Sequence, residues 1–86
     1  MDQLENELKE VDLILIELFQ KRMKIVSKIA DYKIKNNIDI QDKNREQVVI
    51  ERSLQSLENK DDKEYIISFL QPMMNISKKM QEKMKK

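Results

Sequence analysis

Arg22 and Lys33 stand eleven positions apart, about three turns of an α-helix, so on one helix they share a face. Arg22 is also the single break in an otherwise apolar row of Leu8, Leu15 and Ile29. Two cations on an apolar seam admit two readings. Long basic side chains snorkel from the edge of a seam, or a polar position fixes its register. Alternatively, both point into a pocket and hold carboxylates, with Arg offering a bidentate fork and Lys a compact charge. Asp42, Arg45 and Glu46 form a second cluster at spacings of three and four. It serves either as a helix cap with a solvated ion pair, or as acceptors for a ligand hydroxyl beside a further cation. Ser77 and Gln81 are a third polar pair at i,i+4, read as the border of a core or as hydrogen-bonding groups for a ligand. The chemistry common to the functional readings is recognition of a small anion.

Composition narrows the rest. The 86 residues contain no Cys and no His, which removes ordinary zinc sites and Cys–His or Ser–His nucleophiles. There is no Gly, so the glycine-rich loops that cradle nucleotide phosphates are excluded. A net charge of +1 argues against a nucleic-acid partner, which normally meets a strongly basic face. No run of apolar residues is long enough to cross a membrane, and no leader pattern opens the chain. The expectation is one cytoplasmic domain over residues 1–86, with no metal, no cofactor, no nucleic-acid partner and no membrane partner.

The elements that must position these residues are helices. Leu4, Val11, Leu18, Ile25 and Tyr32 repeat every seven residues beside the Leu8, Leu15, Ile29 row, the pattern of a helix packing on helices. Residues 4 to about 35 therefore read as one long helix ending at Asn36-Asn37, residues that tolerate left-handed backbone. Such a helix spans roughly 48 Å, whereas a compact chain of this length is only about 30 Å across. The overshoot predicts a second chain covering the exposed seam, an intertwined homodimer. A short connector leads to a second helix, capped by Asp42 and running to about Leu57. The polar cluster from Asn59 to Asp62 marks a turn. A third helix follows, with Tyr65, Ile66, Phe69, Leu70, Met73, Ile76, Met80 and Met84 as its apolar stripe and Pro72 as a kink within it. The basic tail from Lys78 onward suits a helix C-terminus. The fold class is all-α, with one very long, one short and one medium helix.

Taken in order, these pieces resemble the all-helical chorismate mutases. That family carries Arg and Lys eleven apart on a long first helix, then Asp-x-x-Arg-Glu, then Ser-x-x-x-Gln late in the third helix. Here the first element reads Leu18-Phe19-Gln20-Lys21-Arg22-Met23 and Ile29-Ala30-Asp31-Tyr32-Lys33. The second is Asp42-Lys43-Asn44-Arg45-Glu46, and the third is Ser77-Lys78-Lys79-Met80-Gln81. The resemblance implies rearrangement of chorismate to prephenate, a Claisen-type step in aromatic amino acid biosynthesis, by an interlaced dimer. It implies that Arg22 pairs with a substrate carboxylate. Lys33 contacts a carboxylate and the ether oxygen, to which Gln81 also donates. Glu46, with the backbone near Asp42, orients the substrate hydroxyl, while Arg45 and Ser77 complete the carboxylate site.

One departure stands out. Where the family places an Arg near the start of the first helix, reaching across the dimer, this chain has Glu5. Lys9, one turn on, is the expected replacement cation. Two other functions share the fold. An isochorismate-pyruvate lyase would lack the acidic residue found here at Glu46. A non-catalytic or regulatory helical dimer would need none of Arg22, Lys33, Arg45, Glu46 and Gln81 on its seams.

Overall fold

With no Gly anywhere and Pro only at position 72, nothing in the first forty residues interrupts a helix, and the abundant Leu, Lys and Glu favour one. The computed structural model describes residues 1–40 and 43–85. Helix α1 runs Asp2–Lys35, with Asp2 and Glu5 in its first turn and Lys33 and Lys35 in its last, each sign set favourably against the helix dipole. Asn36 and Asn37 end it. Asn37 takes a φ of 55°. Its amide donates to the Ile34 carbonyl at 3.3 Å, and the Ile38 amide reaches back to the Lys33 carbonyl at 2.8 Å. That is a Schellman closure built on Asn in a chain without Gly. The Asn36 side chain adds a bond to the Tyr32 carbonyl at 2.8 Å.

Helix α2 covers Lys43–Gln55, and Ser56 and Leu57 continue it only through i,i+3 bonds. Lys60 donates to the exposed carbonyls of Leu54 and Gln55 at 3.0 and 3.4 Å, which satisfies the end of the helix. A 3-10 turn, Lys60–Asp62, follows; the Asn59 side chain accepts from the Asp61 amide at its start. Helix α3, Lys63–Lys85, continues through Pro72 as one element, although the proline cannot supply the amide that the Ser68 carbonyl would accept.

α1 and α2 both pack on α3. The buried apolar set is thin: Val26 and Ala30 from α1, Ile40 from the connector, and Leu70 and Met74 from α3. Ala30 is fully enclosed, and its small side chain sets the close approach of α1 to its neighbours. On α3 the enclosed face is Leu70, Met74, Ser77 and Gln81. This corrects the expected stripe in part: Leu70 is buried and Ile66, Met73 and Met80 are half-buried, but Tyr65, Phe69, Ile76 and Met84 lie exposed. The same inversion holds on α1. The residues of both heptad rows are largely exposed, from Leu4 (63%) to Tyr32 (63%), with Leu15, Leu18 and Ile29 bordering hollows on the side of α3, while Val26 and Ala30 are buried. The 34 residues of α1 extend about 51 Å at 1.5 Å each, matching the 52 Å long axis of the chain. The radius of gyration is 15.7 Å, against about 12 Å for a compact domain of this length. α1 therefore overhangs the bundle, with its N-terminal half bare. Among the described residues no helix is long and apolar enough to cross a membrane.

Candidate active site

A cavity of about 380 Å³ opens where the C-terminal half of α1, the start of α2 and the second half of α3 converge. Its size suits a small molecule. α1 lines it with Arg22, Val26, Ile29 and Lys33, spaced 4, 3 and 4 residues apart, one face of an uninterrupted helix. Ile40 in the connector and Arg45, Glu46 and Val49 of α2 form a second wall; Met74, Ser77, Lys78 and Gln81 of α3 form the third. Apolar side chains thus back four cations, one carboxylate, a hydroxyl and an amide, and the net charge of the described lining is +3.

The polar groups are held by one another. Arg22 donates through Nη1 to the Ser77 hydroxyl, which itself donates to the Met73 carbonyl at 3.1 Å. A half-buried guanidinium is thereby fixed by a buried hydroxyl from the facing helix. Gln81, 8% exposed, donates through Nε2 to the Val26 carbonyl at 3.3 Å. Its amide carries a second N–H, which stays available to a ligand. Glu46 and Lys78 form an ion pair of 2.7 Å between α2 and α3, their side chains only 22% and 30% exposed. The arrangement can bind a small polyanion on several cations, offer it an amide donor, and accept a hydrogen bond through the carboxylate.

Of the residues expected to act together, Arg22, Lys33, Arg45, Glu46, Ser77 and Gln81 all line this one cavity. Asp42 lies outside the described residues. Lys9 does not line the cavity. It is exposed on the N-terminal half of α1, thirteen residues and so about 20 Å along the axis from Arg22. In the sequence Lys78 reads only as the head of a basic tail, yet it is part of the wall. Its position next to Ser77 and four residues after Met74 is the sequence signal that places it near the same face.

A second, larger hollow of about 640 Å³ lies between α1 and α3 toward the overhang. Leu15, Ile16, Phe19, Phe69, Met73 and Ile76 dominate it, and Arg22 is the charged residue on its wall. Its volume exceeds that of the polar cavity, but it has almost nothing with which to orient a polar ligand. Arg22 borders both.

The sequence profile of the family described as chorismate mutase type II matches residues 4–82, which takes in all three helices. A bifunctional chorismate mutase/prephenate dehydratase of Buchnera aphidicola subsp. Schizaphis graminum (strain Sg) is 40% identical over 47 residues. That stretch is 55% of this chain and 12% of the relative, so the chain spans a small part of the relative's length. No solved structure matches the chain.

Proposed function

The chain belongs to the chorismate mutase type II family, and we propose that its polar cavity rearranges chorismate to prephenate. One observation carries the reading. Arg22, Lys33, Arg45 and Lys78 converge with Glu46, Ser77 and Gln81 on a single cavity, a charge pattern that a merely structural bundle does not need. The reaction is pericyclic and unimolecular. It asks the protein to hold a dianion in its folded, reactive conformer and to stabilise charge that develops as the ether C–O bond breaks.

Each side chain then has a task. Arg22, locked by Ser77, takes one carboxylate in bidentate geometry. Arg45 completes that anion site, and Ser77, whose proton goes to the Met73 carbonyl, serves it by holding Arg22. Lys33 contacts a carboxylate and the ether oxygen, and the second N–H of Gln81 donates to the same oxygen. A neutral amide suits that position because it donates at any pH. Glu46 accepts from the ring hydroxyl. The apolar backing of Val26, Ile29, Ile40, Val49 and Met74 excludes water and strengthens each of these interactions.

The working unit we propose is a homodimer. The exposed heptad rows of α1, its overhang beyond the bundle and the 640 Å³ apolar hollow all call for a second chain. A second chain crossing that hollow brings its α1 N-terminus, with Glu5 and Lys9, toward Arg22. Lys9 is then the cation that offsets Glu5.

The test is incubation of purified protein with chorismate and identification of the product. Prephenate is the expected product. Pyruvate would move the assignment to a lyase, and unchanged chorismate with a dimer in solution would favour a non-catalytic relative, the reading that Glu5 supports.

A further inference from the structure

The Glu46–Lys78 pair is not required by the residue pattern that marks the family, and its geometry assigns it a task. We infer that Lys78 is a positioning residue that fixes the Glu46 carboxylate as the hydroxyl-reading group of the cavity. The inference rests on the chorismate mutase reading and deepens it by naming what sets selectivity for the substrate hydroxyl.

Glu46 sits in the first turn of α2, on a side chain with three rotatable bonds and only its ends to anchor it. Lys78 Nζ holds its Oε1 at 2.7 Å from across the cavity, on α3. A pair shielded from water over more than two thirds of both side chains differs from a solvated surface pair: it is a charge-assisted contact with a defined direction. With Oε1 held by the ammonium, Oε2 is the acceptor offered to a ligand. Four cations share the cavity with Glu46: Arg22 and Lys33 from α1, Arg45 from α2 and Lys78 from α3. Without Lys78 the carboxylate has other cations of the cavity to turn toward, and Arg22 and Lys33 are ones a substrate carboxylate must occupy. A Glu46 that swung to either would lose the hydroxyl and block an anion site together. Lys78 prevents this by binding Glu46 from α3. The pair also ties the start of α2 to α3, so the acceptor is fixed to the same helix that carries Ser77 and Gln81.

The test compares two substrates, chorismate and the analogue lacking its ring hydroxyl, across wild type, Lys78→Met, Lys78→Arg, Glu46→Gln and the double variant Glu46→Gln/Lys78→Met. Met keeps most of the apolar stem of Lys, and thermal melting checks that each variant is folded. If Lys78→Met fails to fold, Lys78→Gln takes its place. Wild type should favour chorismate over the analogue by about 10- to 100-fold in kcat/KM, the usual discrimination of a hydrogen bond to a charged group. Lys78→Met should lose most of that preference, with kcat/KM falling on both substrates but much further on chorismate. Lys78→Arg should retain it, and removal of Lys78 from Glu46→Gln should change little further. An equal loss on both substrates, persisting in the Glu46→Gln background, would make Lys78 a direct anion contact and overturn the inference. Unchanged selectivity in Lys78→Met would overturn it as well. Wild type inert toward chorismate is a different failure, that of the underlying activity, and the inference falls with it.

Discussion

Replacing Gln81 by Leu separates the proposed catalytic duty of one buried amide from its structural one. In the folded chain Gln81 is 8% exposed and donates to the Val26 carbonyl at 3.3 Å, beyond the usual range for a strong N–H···O bond. The Val26 carbonyl also lies inside α1, where the amide four residues on serves it, so the substitution orphans no acceptor. Leu has nearly the volume of Gln and keeps the wall filled. The stability cost is therefore about 0.5 kcal/mol, a fall of about 2–4 °C in melting temperature for a domain of this size. The transition state loses far more. A donor aimed at an oxygen that gains charge only as the bond breaks is worth about 10²- to 10³-fold in kcat, or about 2.7–4 kcal/mol. Because that charge is absent in the ground state, the loss should fall on kcat and leave KM nearly unchanged. Steady-state consumption of chorismate, with a melting curve on the same sample, reads both quantities. A kcat within about threefold of wild type, or a defect confined to KM, would refute the assignment of Gln81 to the ether oxygen.

Three further outcomes follow from the same structure. Met74→Ala removes one of the few buried apolar side chains and should cost about 2–5 kcal/mol, read as a thermal or denaturant transition shifted well below wild type. Leu8→Glu combined with Leu15→Glu places two carboxylates on the heptad seam of α1, where both leucines are exposed in the single chain. Sedimentation should show the wild-type dimer replaced by monomer, and a wild-type monomer would refute the dimer outright. Lys9→Met should raise KM for chorismate by about tenfold at low salt, with kcat little changed, if Lys9 offsets Glu5 across the dimer; an unaltered KM would remove Lys9 from the site.

Much of the fold was legible because helix geometry converts spacing into direction. Eleven residues make three turns, so Arg22 and Lys33 had to share a face, and the four-residue steps did the same for Ser77 with Gln81. The end of α1 was legible in Asn36-Asn37 because, without Gly, Asn is the residue that most readily takes the left-handed turn. What the sequence did not reveal is which apolar face a given chain covers for itself. Periodicity marks eight residues from Tyr65 to Met84 as one stripe, but only Leu70 among them is buried, and Tyr65, Phe69, Ile76 and Met84 stay exposed while Ser77 and Gln81 are enclosed. Hydrophobic patterning is the same whether the covering surface lies on one chain or two, so it could not distinguish them. Polar residues enclosed beside Met74 looked like a border because burial of a hydroxyl and an amide depends on partners, here Arg22 and the Val26 carbonyl, that no local pattern displays. Lys78 escaped for a related reason. In a run of lysines its charge suited the helix dipole, and only the approach of α2 brings Glu46 to it.

The most direct measurement runs wild type and Lys33→Gln side by side with chorismate, following its disappearance and identifying the product, while sedimentation and melting monitor the fold. Lys33 lines the cavity from a half-buried position on α1, so its loss should leave the fold intact. The account predicts prephenate from wild type and a fall of at least about 100-fold in the variant. Equal turnover by both proteins, or none by either with the fold preserved, would contradict it.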